Sequence, residues 1–520
     1  MDIWCTSSST QVFKNIRKWP EDSSTIALSS AKNMVASFQV CLRDVDSEFD
    51  ITDVSFPVLP EGISAEYNFI DFITFNDGVP YPDIISNKRS AHVLINTTQS
   101  ILIRFFVCTA EDKVYTLPVN ITTSLGEFNV KAKLNVFPIT IPDPKDSDFC
   151  HEYFFDPMSI FAGFPHAVDD PIMSFTYNYE AYSDKFWTLM LDFAKKAKEL
   201  HVNCLHIPVI RLLCDGGSRR ISDTKWELNF DLFDKFVEFF LENGSYKKLS
   251  INAIIKSVSG EVINAIDENG KSTQLKIFSD EADAWAEAFY GGIYAHFKEK
   301  GWLNMLQMRL QDEPHSSEYW LWAREKCQKY MPDIICGEPI DTHLISRELE
   351  GKCNQYVPRI EVYEEGADYY LERQKAGDEV WCYSCCYPEV MGWMNKFIDL
   401  PTVYSRLMYW ACFSHGITGF LHWGFHYWQI KLYGLHTDTR FKGDGFIVYP
   451  DVENDCILHS ARGIATIEGY QDLELLLMLE KKDPAAAKAI ARRIAKGFTD
   501  LHATPDDVDR ARNEILTLLS

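Results

Sequence analysis

Residues Asn304 to Pro314 read Asn-Met-Leu-Gln-Met-Arg-Leu-Gln-Asp-Glu-Pro. Their alternation predicts a strand over Asn304–Glu313. Leu306, Met308, Leu310 and Asp312 fall on one side, and Gln307, Arg309, Gln311 and Glu313 on the other. The apolar set suits packing against helices, and the polar set suits the lining of a cavity. Pro314 ends the run, because it restricts Glu313 and cannot donate a ladder bond. Two carboxylates therefore arrive together at a strand end. Asp-Glu also occurs at Asp267-Glu268, Asp280-Glu281 and Asp378-Glu379, so the dipeptide carries no signal without its strand. A solvated strand end is the alternative reading of this pair.

On both sides of this stretch strand and helix patterns alternate. Cys150–Phe155, Cys204–Ile210, Lys248–Lys256, Ile334–Gly337, Gln355–Tyr363, Glu379–Tyr387 and Gly416–Trp423 read as strands. Between them, Tyr182–His201 places Phe186, Leu189, Met190, Phe193, Ala197 and Leu200 on one helical face. Asp231–Glu242, Asp280–Lys300, Ser316–Tyr330 and Pro401–Cys412 are further helices. About eight strands with intervening helices over roughly 270 residues predict a (β/α)8 TIM-type barrel at 149–458. A doubly wound open sheet is the alternative, but no Gly-rich phosphate loop follows any strand.

The chain before the barrel has a different grammar. Ala36–Leu42, Ser100–Val107, Lys113–Ile121 and Glu127–Val136 alternate with Gly, Pro, Asn and Asp clusters, predicting an N-terminal β-sandwich over 1–140. Thr140–Asp148 reads as a linker. Residues 459–520 read as a C-terminal helical extension packed on the barrel, including Ala486–Phe498 and Pro505–Leu519. The whole is thus multidomain, β plus α/β.

Composition narrows the function. The 520-residue chain carries a net charge of −24. That argues against nucleic acid and anionic membrane surfaces, which want basic patches. No apolar run approaches a membrane span, and the first residues lack a basic and apolar leader pattern. A cytoplasmic protein is the expectation from the sequence as written, with export left open. A homo-oligomer is compatible with this composition. The 14 Cys show no paired metal spacing, and Cys382-x-x-Cys385 has no second pair. His422, His426 and His436 do not form a helical metal pair either, so neither metal nor cofactor is expected.

Barrel enzymes carry their chemistry at the C-terminal strand ends. That rule selects Arg211 after the second strand, Asn252 and Lys256 on the third, and Asp312-Glu313 on the fourth. It also selects Trp381, Tyr383 and Tyr387 on the seventh, and His422, Trp423, His426 and Trp428 at or beyond the last. With 34 Phe, 24 Tyr and 13 Trp, much of the aromatic content must be core. Even so, an acid pair, an arginine and aromatics on one rim suit a sugar pocket.

The Asp312-Glu313-Pro314 ending resembles glycoside hydrolase family 123, the retaining β-N-acetylgalactosaminidases. Gly416-Ile-Thr-Gly-Phe-Leu-His-Trp-Gly-Phe-His-Tyr-Trp428 is similar to the family's last-strand segment. Gly443-Asp444-Gly445-Phe446 through Tyr449-Pro450 is similar to its Gly-Asp-Gly…Tyr-Pro segment. Ser460 to Leu476 resembles the helix that follows, keeping Ser460, Arg462, Gly469, Asp472 and Glu474. It differs at Ile464, Ile467 and Gln471, where charged residues are expected. The resemblance implies a glycan substrate with terminal β-GalNAc and substrate-assisted catalysis. Glu313 would be the general acid and later the base. Asp312 would orient the substrate's 2-acetamido group, Tyr383 would donate to its oxygen, and Trp423 and Trp428 would be ring platforms. Arg211, Asn252 and His422 complete the expected substrate-binding set. A hexosaminidase of other specificity and a non-catalytic carbohydrate-binding protein are the alternatives. One geometric demand follows. Neighbouring strand residues point to opposite faces, so the pair must sit where the chain twists out of its strand.

Overall fold

The computed structural model describes residues 1–161, 176–255, 261–389 and 391–520. The N-terminal region forms two five-stranded sheets. One runs in the order Asp2–Ser7, Met34–Arg43, Thr98–Val107, Ile63–Thr74, Pro80–Ser86. The other runs Thr25–Lys32, Gly126–Thr140, Val114–Thr123, Phe49–Ser55, Ala91–Val93. Alternate residues of both sheets, among them Phe38, Val40, Ile103, Phe105, Val119, Ile121, Val130 and Leu134, share one buried core. Period-two alternation puts them there, since every second side chain meets the facing sheet.

The rest of the chain is built around a nearly closed barrel of nine parallel strand segments. These are β1 (Cys150–Tyr153), β2 (Cys204–Ile207), β3 (Lys248–Ile251), β4 (Leu306–Met308), β5 (Ile335–Ile340), β6 (Gln355–Pro358), β7 (Glu379–Val380), β8 (Cys382–Ser384) and β9 (Gly419–His422). Their order is β7-β6-β5-β4-β3-β2-β1-β9-β8. The two ends of that order, β7 and β8, are separated in the chain only by Trp381, whose N–H donates to Tyr356 O at 2.9 Å. Helices follow the strands on the outside. Asp184–Glu199 is typical: Ser183 caps its N-terminus, and Phe186, Leu189, Met190, Phe193, Ala194 and Ala197 are buried against the barrel.

The lumen is filled with paired polar side chains. Near the strand starts, Lys248 Nζ lies 2.9 Å from Glu379 Oε2, and Gln355 Nε2 donates to the same oxygen at 2.8 Å. Above them the Arg309 guanidinium is bound to Glu152 of β1 and donates to Gly337 O at 2.8 Å. Trp381 lies under both cations, its ring 5.3 Å from Lys248 and 5.7 Å from Arg309.

Several elements are shorter than their sequence patterns. Only Leu306–Met308 of the Asn304–Glu313 run is strand. The predicted strand Cys204–Ile210 stops at Ile207, and Val209–Asp215 turns into a helix that carries Arg211 away from the strand end. Two hairpins, at Arg219–Glu227 and Val262–Lys276, have no counterpart in the predicted elements.

Helix Ala461–Lys482 does more than pack on the barrel. Every residue from Ala461 to Leu476 is buried. The N-terminal sheets lie against it: Ser9 Oγ donates to Glu468 at 2.9 Å, and Arg462 pairs with Asp83 at 3.0 Å. Ile464, Ile467 and Gln471, the positions that differ from the resembled pattern, are among these buried residues, at 2%, 4% and 1% exposure. The Gln471 amide spans the backbone N–H and C=O of Val35 in the facing sheet. Apolar and neutral residues serve there because the helix meets protein rather than solvent. The last helix, Pro505–Leu519, lies against the strand Thr25–Lys32, where Ser29 Oγ donates to Asn513 at 2.7 Å.

Candidate active site

The site begins with the early failure of β4. Arg309 N–H still donates to Ile251 O of β3 at 3.0 Å. On the other side, the next ladder donor, Leu310 N–H, is taken by the side chain of Glu338, at 2.5 Å to Oε1. The same oxygen accepts the Trp320 indole N–H at 3.0 Å. Glu338 is fully buried, and burial holds its carboxyl well above the usual range despite the opposing pull of Arg309. A side chain thus replaces a backbone partner on that side; on the other, Ile255 N–H still donates to Leu310 O at 3.4 Å and Gln311 bridges Ile255, so the chain leaves the sheet after Gln311.

Asp312 and Glu313 follow on this departing segment. Glu313 sits at φ 44°, in the left-handed region that a residue with a Cβ rarely adopts. This backbone turn answers the parity problem, since the pair is not on a regular strand. Asp312 lines a cavity of about 290 Å³ at the barrel mouth, together with Phe154, His206, Asn252, Asn264 and Arg309. Desolvation and then the neighbouring Glu313 charge push its carboxyl up to about 7, while Arg309 pulls the other way. Glu313 accepts a hydrogen bond from the Tyr383 hydroxyl at the end of β8. Tyr383 is buried, and burial and the Glu313 charge both raise its phenol far above the ordinary value. In this structure the hydroxyl donates to Glu313, where the expected acceptor was the acetamido oxygen of a substrate.

Beneath the pair, burial works to raise Glu152, but Arg309 and His206 override it and hold the carboxyl at about 2. His206 Nδ1 lies 3.5 Å from Glu152, and its ring packs on Phe154 at 4.6 Å. This supports Arg309 as a fixed cation below Asp312.

An aromatic cluster stands beyond the end of β9. Trp423 follows β9, stacks on Tyr427 at 5.3 Å and 20°, and meets Tyr433 edge-on at 5.2 Å. All three rings are partly buried. The Trp423 indole N–H donates to Asp444 Oδ2 at 2.8 Å. Asp444 can reach it because two loops pass in close contact: a Cβ at Gly424 would lie 2.1 Å from Asp444 O. Arg462 holds the second loop by donating to Gly443 O at 2.8 Å, so the helix wedged under the sheets also fixes the acceptor of Trp423.

Asp312, Glu313, Tyr383 and Trp423 all stand at the C-terminal mouth, and Asn252 lines the Asp312 cavity while accepting from Val209 N–H at 3.1 Å. Three expected contacts are elsewhere. Trp428 is 3% exposed, donates to Val448 O, and stacks with Phe193 at 6.2 Å. It is core and not a ring platform, because the chain turns inward after Tyr427. His422 is 1% exposed beneath Trp423, where its Nδ1 accepts from Gly424 N–H at 2.9 Å and its Nε2 lies 3.6 Å from Asp444. It supports the loop and does not face a ligand. Arg211 lies on its helix near Tyr182 and Cys214 and is not among the cavity's lining residues. Lys256 lies outside the described residues. Sequence reasoning missed Glu338, Tyr427, Tyr433 and Asp444. The Gly-Asp-Gly segment was the available signal for Asp444.

The sequence matches the family description "Glycoside hydrolase 123, catalytic domain" over residues 172–479. Among solved structures, a family 123 glycoside hydrolase from Clostridium perfringens, studied for glycolipid glycan hydrolysis, superposes with a TM-score of 0.76 at 15% identity. The match covers 99% of this chain and 97% of that one. A GH10 xylanase with a bacterial Ig-like domain, from termite gut, gives a TM-score of 0.35 at 8% identity, covering 86% and 99% of the two chains. No curated relative matches the sequence.

Proposed function

The chain belongs to glycoside hydrolase family 123 and is a glycosidase; from that premise we propose that it is an exo-acting, retaining β-N-acetylgalactosaminidase using substrate-assisted catalysis. In this reading β7 and β8 are one strand interrupted at Trp381, which makes the barrel a (β/α)8 barrel behind an N-terminal β-sandwich. The substrate's 2-acetamido carbonyl oxygen attacks its own anomeric carbon, and the scheme departs from the usual pair of enzymatic carboxylates. Glu313 protonates the glycosidic oxygen and then, as carboxylate, activates the water that opens the oxazolinium-like intermediate. Asp312 accepts the amide N–H and stabilises the positive charge as it develops. Tyr383 fixes the Glu313 carboxyl, and Trp423 with Tyr427 offers a face to the ring.

One observation supports this above the others: adjacent carboxylates share a barrel mouth, yet their surroundings differ. Asp312 sits over a buried cation and Glu313 against a phenol. Different surroundings are what assign different roles to two acids. The test is hydrolysis of an aryl β-GalNAc glycoside compared with its GlcNAc epimer. Turnover of the GalNAc substrate is expected, with a loss of about 10²–10⁴ in kcat for Glu313→Gln. Equal rates for the two epimers would reject the stated specificity. Full activity in Glu313→Gln would reject the mechanism.

A further inference from the structure

The hairpin Val262–Lys276 is laid onto the sheet beyond β3 and reaches the Asp312 cavity. Ile255 bridges Ile263 of the hairpin on one side and Gln311 on the other. Asn264 N–H donates to Ile254 O at 2.7 Å, and Asn264 O accepts the indole N–H of buried Trp285 at 2.8 Å. The backbone at Asn264 is thus held from both sides. Its neighbours Ile263 and Ala265 are fully buried, so alternation turns the Asn264 side chain the other way, onto the cavity it lines. Asn264 is partly exposed, and its carboxamide has no hydrogen-bond partner among the described residues. Asn252 lines the same cavity, with its Oδ1 taken by Val209 N–H. The lining comes from one sector of the barrel: His206 on β2, Asn252 and Ala253 after β3, Arg309 and Asp312 after β4, Glu338 and Pro339 on β5. Glu313 is outside that lining and is bound instead by Tyr383 at the end of β8.

We propose that Asn264 reads O4 of the terminal sugar and sets the preference between GalNAc and GlcNAc; this rests on the function proposed above. In that reaction Glu313 serves the glycosidic oxygen on C1 and Asp312 the acetamido group on C2. The ring continues past Asp312, away from Glu313, so C3 and C4 enter the cavity. Asn252 follows β3, next to the strand that carries the pair. Asn264 lies one step further out, on the added hairpin. Ring order then gives O3 to Asn252 and O4 to Asn264. A carboxamide can donate to a hydroxyl oxygen and accept its proton. The two epimers differ only in the direction of O4, so a partner on a fixed backbone is satisfied by one and left unpaired by the other.

The experiment measures kcat/KM of the full chain on three aryl glycosides: β-GalNAc, its GlcNAc epimer, and the 4-deoxy analogue common to both. Asn264→Ala should lower the β-GalNAc value by about 10–100-fold while changing the other two by less than about two-fold. The native chain should lose as much on the 4-deoxy substrate as the variant loses on β-GalNAc. Asn264→Val, which suits a strand and has no polar end, serves if the alanine variant does not fold. Equal loss on all three substrates reports a loosened site and overturns the proposal. A native preference for GalNAc that survives the substitution overturns the role of Asn264 and leaves the function standing. A native chain with no preference between the epimers rejects both. If neither epimer is hydrolysed, the function falls, and saturation-transfer NMR with free N-acetylgalactosamine decides the contact. A signal weakened by Asn264→Ala for this sugar, but not for its 4-deoxy form, upholds the contact, and equal signals from native chain and variant overturn it.

Discussion

If Asp312 accepts the substrate amide and stabilises the developing cation, only its carboxylate form works, and it fixes the acid side of the kcat/KM profile. Desolvation and the Glu313 charge raise Asp312 to about 7, opposed by Arg309 and reinforced by Asp341. The carboxyl keeps its proton below that value and loses it as the pH rises through it, so activity rises through pH 7. One unit below it about a tenth of the chains carry the carboxylate, and two units below it about a hundredth. Asp312→Asn removes the titrating group, and the ascending limb should then disappear. At its own optimum the variant should be slower by about 10²–10³, because a neutral amide does not stabilise the developing cation. Initial rates at substrate well below KM, from pH 5 to 9, measure both effects. A native ascending limb absent over that range would refute the argument. So would a limb that stays in place in Asp312→Asn, since it would then report a group other than Asp312.

Two further outcomes separate support from contact. Glu338→Gln keeps an acceptor for Leu310 N–H and the Trp320 indole and should leave stability and the pH profile near native, whereas Glu338→Leu strands both donors in the interior. The loss should be about 2–4 kcal/mol in urea unfolding, with a lower kcat because the Asp312-Glu313 segment loosens; equal stability of the two variants would contradict this role. Trp423→Ala should raise KM for an aryl glycoside with a modest change in stability, and Trp428→Phe should do the reverse, costing about 1–2 kcal/mol with KM unchanged; steady-state kinetics beside thermal unfolding distinguishes them.

The sequence was most readable where local physics acts alone. Helix Asp184–Glu199 announces itself through its apolar spacing and Ser183 cap, and Asp280–Lys300 through Ser279 and the left-handed Gly301 that ends it. The hairpins Arg219–Glu227 and Val262–Lys276 were not readable. The first is short and mostly exposed, so little apolar alternation marks it, and both depend on packing supplied from elsewhere. Trp423 and Trp428 show the same limit within the site. Both follow the last strand five residues apart, and residue type cannot distinguish them. Their acceptors do: a side-chain carboxylate on a neighbouring loop for one, a backbone carbonyl in the core for the other.

The placement of the acid pair shows why part of a site escapes the pattern that points to it. Alternation through Arg309 is real: Leu306, Met308 and Leu310 face the outer core, while Gln307, Arg309 and Gln311 are buried polar residues on the other side. Carried two residues further, the same alternation would separate Asp312 from Glu313. What breaks it lies some thirty residues downstream. Glu338 takes the donor that β5 would have received, and Pro339 next to it has no N–H to offer in return. With the ladder ended on that side, Glu313 adopts its left-handed turn at a cost of about 1–2 kcal/mol. That cost is tolerable because Tyr383 and the surrounding packing hold the side chain where the turn puts it. The geometry of the acid pair is thus a property of two strand ends considered together. A single stretch can show that the acids are present, but the contact that aims them is made only when β4 and β5 meet.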